Sequence, residues 1–429
     1  MHISLDSALG RQRRLNSVGE SVLQIAPSAA AAYSLRSLTG ADPKVVRVRR
    51  DTDNAEQDFT ASGVSSGALV DFATSGNGVF QNTGFESFTN VSASGFTASN
   101  TTGSGFAISD IADGVSGDVV KVSFDITVTN GSPKLSLRST MDGGSQESNS
   151  ITYTSSGSKT ATLTATGDYV GVGFPEGDVP SNFTVSNFKV LGNGFVETWY
   201  DQSGNNRPLI QTTASEQPLI VEAGTFLNGV KSNKATSNDT MQNLQVSTDG
   251  TNANFGTDDW ASGASSKLGA VYVGTVPSDS VTSVTHPAII WGGGRAVSQF
   301  QEGGVALSVI KGGTDSWALR NERQGLSPST MLNSTSLNTD ADVVLYGTTD
   351  NREFTINVNG SGDTETESAD LDVRENAALS LFGAYDKNGG RYYQRSAGGV
   401  CKECYLYAGD SVANIPALAT SINAHYSIY

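Results

Sequence analysis

Chemistry in this chain could start from a few stretches. In FVETWYDQSGNNRP, Phe195–Pro208, two aromatics, Trp199 and Tyr200, stand directly before a carboxylate, Asp201, and the glycine turn at Gly204. A carboxylate beside sugar-stacking rings is one reading; a strand end with its turn is the other. The second stretch is GTDDW, where Asp258 and Asp259 adjoin Trp260. Glycoside hydrolysis needs two carboxylates held roughly 5–10 Å apart, and neighbouring aspartates before a tryptophan are the nearest imitation of such a pair. The third is GGVCKECYLYAG, which holds both cysteines, Cys401 and Cys404. A CxxC can be a redox pair or half a zinc site. No second CxxC exists, and the three histidines, His2, His286 and His425, are scattered. In a regular strand, positions three apart point to opposite faces, so the two thiols are expected to be free strand residues. No metal and no cofactor is expected.

The elements that must position these residues are short strands. The chain has 429 residues, enough for two or three domains, with 48 glycines and only 16% charged residues. That mix suits strands joined by tight turns. The net charge of -16 argues against a nucleic-acid partner, whose recognition needs clustered Lys and Arg. No run of about 18 apolar residues exists, so no membrane insertion is expected, and the N-terminus lacks the apolar region of a secretory signal.

Residues 1–25 read as a weakly hydrophobic arm carrying Arg11, Arg13 and Arg14. An arm so poor in apolar residues cannot order itself, so an outside surface is expected to hold it. PSAAAAYSLRSLTG, from Pro27, combines proline at a start, an alanine run and Gly40 as a stop, and predicts one short helix. KVVRVRR alternates Val46 and Val48 with Arg47 and Arg49, predicting a half-buried edge strand.

GNGV at 76–79 returns as GNGF at 192–195. Removing the residues between the two copies, with one copy of the repeat, joins LVDFATSGNG to FVETWYDQSG, which reads as one strand approach interrupted by a domain inserted in a loop. Within the insert, Val120, Val122, Phe124, Ile126 and Val128 alternate with polar residues, and TNGSPK follows as a hairpin turn. After Pro208 the strands continue. Phe354, Ile356 and Val358 form one buried face, while Ile415, Leu418, Ile422 and Tyr426 share the face of a C-terminal helix.

AAYSLRSLTG, VRVRRDTDNAEQDF, FVETWYDQSGNNRPLIQTTASEQPLIV and INAHYSIY resemble the concanavalin-like, or laminin-G-like, sandwich common in virion proteins of tailed bacteriophages. The first three also resemble the catalytic sandwich of fungal arabinofuranosidase B. The resemblance covers 26–79 and 193–429, and 80–192 resembles the jelly-roll carbohydrate-binding modules appended to glycan-active proteins. It implies an all-β chain: a concanavalin-like β-sandwich interrupted by an inserted jelly roll, with a short N-terminal helix and a C-terminal helix. The arabinofuranosidase pattern adds a vicinal disulfide and carboxylate-bearing motifs downstream, and neither has a counterpart here. GTDDW reads more simply as a turn. No catalytic residue is therefore expected.

Asp201 accepting backbone N–H groups, with Gly204 taking the left-handed conformation, explains WYDQSGN as strand plus turn without chemistry. The leading expectation is a virion structural protein, a tail fibre, head fibre or decoration component. It would be anchored to other virion proteins through residues 1–25, assemble as a homo-oligomer and touch host-surface polysaccharide. Trp291, Trp317, Tyr392 and Tyr393 are candidate glycan contacts, although each could equally fill a core or an inter-subunit contact. The alternative is a glycan-active enzyme or a free lectin of cellular origin, which would require an export route.

Overall fold

Runs of β-branched and aromatic residues between Gly, Asn and Asp turns fold into antiparallel strands. The computed structural model describes residues 21–74, 78–101, 105–110, 119–138, 150–164, 169–174, 181–232, 244–246, 267–276, 288–293, 304–310, 316–322, 329–336, 341–350, 352–366, 378–382 and 399–429. A short helix, Val22–Ile25 (α1), precedes strands Ala31–Ser34 (β1), Lys44–Arg50 (β2) and Glu56–Thr60 (β3) and helices Ala61–Ser65 (α2) and Ala68–Ala73 (α3). Next come Gln81–Thr83 (β4), Ser87–Ser92 (β5), Gly95–Ser99 (β6), Gly105–Asp110 (β7), Val119–Asn130 (β8), Lys134–Arg138 (β9) and Ile151–Thr152 (β10). Gly157–Thr164 (β11), Tyr169–Phe174 (β12) and Asn182–Val190 (β13) complete that segment. Gly194–Trp199 (β14), Leu209–Ile210 (β15), Leu219–Glu222 (β16), Thr225–Ser232 (β17), Leu244–Val246 (β18) and Leu268–Thr275 (β19) follow. Ala288–Gly293 (β20), Gly304–Ile310 (β21), Ser316–Glu322 (β22), Ser329–Ser336 (β23), Val343–Asp350 (β24) and Glu353–Val358 (β25) come next. Ser361–Thr366 (β26), Ala378–Leu381 (β27) and Gly399–Ala408 (β28) lead to the last helix, Ile415–Tyr426 (α4).

Strands β4–β13 form two five-stranded sheets, β10-β9-β12-β7-β4 and β11-β8-β13-β6-β5. Alternation on β8 buries Val122, Phe124 and Ile126 and leaves Asp125 at the surface. The core between the sheets is aromatic: Phe80 meets Phe188 edge-on at 5.0 Å, and Phe124 meets Tyr153 at 5.4 Å. TNGSPK is not a hairpin. β8 is already paired on both edges, with β11 and β13, so no ladder position remains for β9. The turn instead carries the chain into the other sheet, pinned where Ser132 N–H donates to Ser181 Oγ at 2.9 Å.

The other strands make a second sandwich. One ladder runs β1-β28-β19-β24-β25-β26. The other runs β3-β2-β14-β15-β18-β27-β20-β21-β22-β23. β16 and β17 link them, pairing with β14 and β28. Val46, Val48 and Trp199 from one ladder share a core with Leu345, Ile356 and Leu406 from the other. On the outer face of β28, Tyr405 and Tyr407 pack under Ile415, Leu418 and Ile422 of α4. Val22 and Ala26 are buried in this second layer, so the end of the 1–25 stretch belongs to the packing of the body.

Several expectations are overturned here. The helix over 27–40 is absent, because Ala31–Ser34 forms β1, fully buried and paired with β28. Alanine favours helix in isolation, but its small side chain also fits a strand covered on both faces, and tertiary pairing wins. LVDFA is the helix α3 and not a strand approach: Leu69 and Ala73, four apart, are both buried. Strand β2 is no edge, since it pairs with β3 on one side and β14 on the other. Cys401 and Cys404 do not point apart. The register against β19 slips between Glu403 and Cys401, a bulge that turns both thiols into the same core.

The two sandwiches meet at a tight joint. Both oxygens of Asp51 accept the Asn193 N–H at 2.9 Å, Asn193 Oδ1 accepts Ala223 N–H at 2.8 Å, and Leu191 N–H donates to Lys121 O at 2.7 Å. A side chain at Gly192 would stand 2.6 Å from Ala73 O and 2.7 Å from Asp51 Oδ1, so only glycine passes there.

Candidate functional site

The site is built outward from the opening stretch. Trp199, fully buried, ends β14 inside the core, and Tyr200 turns to the other face, where its hydroxyl donates to Asp58 at 2.7 Å. Burial and the neighbouring Asp58 push the Tyr200 hydroxyl up to about 12. Asp201 then accepts from Ala32 N–H (2.9 Å), Ser203 N–H (2.8 Å), Ser203 Oγ (2.8 Å) and Arg207 N–H (3.1 Å). Gly204 follows with φ of +92°. The carboxylate thus closes its own turn and caps the free edge of β1. Asp201→Ala is expected to lower stability by about 2–3 kcal/mol, since bonds to a charged acceptor are lost from partly buried donors. Asp201→Asn should cost less, and denaturant midpoints of the two variants check the order.

Gln202 extends the clamp. Its Nε2 donates to Ser34 O at 2.9 Å and Arg36 O at 3.0 Å, while its Oε1 accepts Leu38 N–H at 2.9 Å. Those bonds fix the bend after β1, which lines a cleft of about 810 Å³. The lining comes from residues 35–42, helix α2, Phe226 and Asn228 on β17, Lys402 on β28, and His425 and Tyr426 at the end of α4.

Beneath the cleft lies Glu403, wholly buried. It accepts from Ser34 Oγ at 3.0 Å, Tyr426 hydroxyl at 2.9 Å and Tyr405 hydroxyl at 2.5 Å. Arg36 grips it from above, Nε on Oε1 and Nη2 on Oε2, the latter at 3.2 Å. A carboxylate removed from water persists only when paired and fully hydrogen-bonded, and here it is both. Burial works against the Arg36 charge, but Glu403 more than offsets this and holds the guanidinium ionised. Burial and Glu403 together raise the Tyr426 and Tyr405 hydroxyls well above the ordinary range, so both remain donors. The Tyr426 ring lies 5.7 Å from the Arg36 guanidinium and 5.4 Å from Lys402 Nζ. Lys402 is itself tied to Asp342 at 2.5 Å. Asp42, the carboxylate of the lining, accepts from Ser62 N–H at 2.8 Å and Ser62 Oγ at 2.6 Å.

The residues singled out from the sequence fall elsewhere. Trp317 is 1% exposed in the core and cannot meet a glycan. Its strand, β22, alternates, and position 317 lies on the inner face with Leu319. Trp291 sits on β20, with its side chain outside the described part of the structure. Tyr392, Tyr393, Asp258, Asp259, Trp260, Arg11, Arg13 and Arg14 lie outside the described residues. Cys401 and Cys404 are buried thiols without a disulfide, and Cys401 Sγ donates to Glu403 O at 3.4 Å. Burial, then the neighbouring Cys404, pushes the Cys401 thiol far up, which keeps it protonated and unreactive.

Sequence reasoning passed over Glu403, Arg36, Lys402 and Tyr426. One signal was present: in VCKECYLY an acidic residue and Lys402 stand in a strand otherwise apolar or aromatic, and an acidic residue there is buried only with partners.

No protein-family model matches the chain, and no curated protein matches it. Solved structures resemble it at low identity. An arabinofuranosidase complexed with arabinofuranosyl-alpha-1,2-xylobiose is 12% identical, with 93% of this chain and 64% of that chain covered and a TM-score of 0.42. The enzymatically active domain of tailspike protein 2 from bacteriophage CBA120 is 14% identical over 43% of this chain and 26% of that chain, with a TM-score of 0.30. The native heptameric SAP-like pentraxin from Limulus polyphemus is 12% identical over 35% of this chain and 68% of that chain, with a TM-score of 0.27. The chain thus spans about a quarter of the tailspike domain and just under two thirds of the arabinofuranosidase.

Proposed function

We propose that this chain is a glycan-binding structural component of a bacteriophage particle, one that holds sugar without cleaving it. The observation that carries the reading is the composition of the cleft. It combines ring faces, Phe226 and His425, with amide, hydroxyl and cationic donors from Asn228, Ser37, Ser65 and Arg36, around a prearranged floor. A concave surface with apolar walls and a few fixed polar groups suits a sugar ring. Of the lining residues only Asp42 is a carboxylate, whereas glycosidic hydrolysis draws on two. The particle assignment rests on the sequence resemblance over 26–79 and 193–429 and on the basic arm with Arg11, Arg13 and Arg14. In that role several copies would act together, so weak contacts sum to firm attachment.

The test is co-sedimentation of the full-length protein with insoluble surface polysaccharide from bacterial hosts, with reducing-sugar release followed in parallel. The expected result is retention, at least about tenfold weaker for Phe226→Ala combined with His425→Ala, and no sugar release. Retention unchanged by those substitutions, or sugar release, would overturn the reading. Deleting residues 2–20 should leave the body folded but abolish incorporation into particles, and normal incorporation would contradict the particle assignment.

A further inference from the structure

We infer that the cleft selects a carboxylate-bearing sugar, a uronic-acid-type unit, through Arg36; this rests on the glycan-binding reading above. Glu403 engages Nε and Nη2 of the guanidinium, the Tyr426 hydroxyl stands beside it, and no hydrogen bond ties Nη1 to a described residue. Arg36 lines the cleft with its side chain 26% exposed, so its unused edge is open to a ligand. The remaining edge of a guanidinium offers parallel donors at the spacing of a carboxylate's two oxygens.

The supporting network explains why the arginine is held so firmly. Glu403 is locked by Ser34, Tyr405 and Tyr426, and the Arg36 backbone by Gln202. A wholly buried carboxylate is costly to keep, and one whose pair partner reaches the surface serves to fix that partner's orientation. Lys402 adds positive charge beside the Tyr426 ring. Opposing groups are present too. Asp42 is on the same lining, and the whole chain carries -16. Long-range attraction therefore cannot favour an acidic polymer, and any preference must come from short-range contact with Arg36. A neutral sugar offers this edge only hydroxyl acceptors, which lack the charge and the paired oxygens of a carboxylate.

Isothermal titration of the full-length protein tests this with a glucuronate-containing oligosaccharide and the same oligosaccharide after carboxyl reduction. The acid should bind at least about tenfold more tightly, the scale of one charge-assisted contact. Arg36→Gln should erase that difference, weakening the acid at least about tenfold more than the reduced form. Should Arg36→Gln fail to fold, Asp42→Asn decides: it should tighten the acid several-fold relative to the reduced form. Equal affinity for both forms, unaltered by Asp42→Asn, would overturn acid selection while leaving glycan binding intact. No binding of either form would overturn both.

Discussion

Glu403→Ala is expected to destabilise the body by about 3–5 kcal/mol, the largest loss from any single substitution near the cleft. The cost does not equal the worth of the ion pair. Removing the carboxylate strands the Tyr405 hydroxyl and Ser34 Oγ, both buried, without an acceptor, and it releases Arg36 from its ion pair. It also opens a cavity under α4, between Tyr405 and Tyr426. Because a buried pair is dear to desolvate, removing both charges should be milder than removing one. The double variant Arg36→Met with Glu403→Leu should recover a sizeable part of the loss, and a double-mutant cycle from urea unfolding measures the difference. If Glu403→Ala loses less than about 1 kcal/mol, the network does not hold the cleft floor.

Deleting residues 80–191 should remove one unfolding transition and leave the other close to its original position. Among the described residues, β4–β13 pair only among themselves, and their aromatic core contains no residue of the other sandwich. Among the described residues, what joins the two units is small: Ser109 Oγ donating to Gly78 O at 2.7 Å, the Leu191 side chain against Gly224, and an exposed Lys189–Asp71 pair at 3.4 Å. An exposed pair of that kind contributes little. Scanning calorimetry should therefore show two transitions in the full chain and one in the deletion variant. A deletion product that aggregates, or a single transition in the full chain, would show that the two sandwiches fold as one.

How far the sequence revealed this structure depended on which forces acted locally. Alternation made β8 and β25 visible, because burial of one face leaves a period of two. The apolar stripe of α4 was visible for the same reason at a helical period. β1 was misread because an alanine run reports intrinsic preference, whereas its conformation is set by β28 and by the Asp201 turn, 169 residues away. The thiols were assigned to opposite faces because regular parity was assumed, and the bulge that changes parity depends on β19. There a side chain at Gly274 would lie 1.9 Å from Val400 O. The cleft was the least legible part. Its members, Arg36, Asp42, Phe226, Lys402 and Tyr426, come from four separate segments, and none carries a motif.

Hydrogen exchange read by mass spectrometry, with and without saturating oligosaccharide, tests the central claim most directly, because it locates contact on the intact protein. The account predicts added protection concentrated in residues 35–42, 61–65 and 226–228 and around Lys402 and Tyr426, the segments that line the cleft. Protection confined to β4–β13, with those segments unchanged, would place the sugar on the other sandwich and contradict the account.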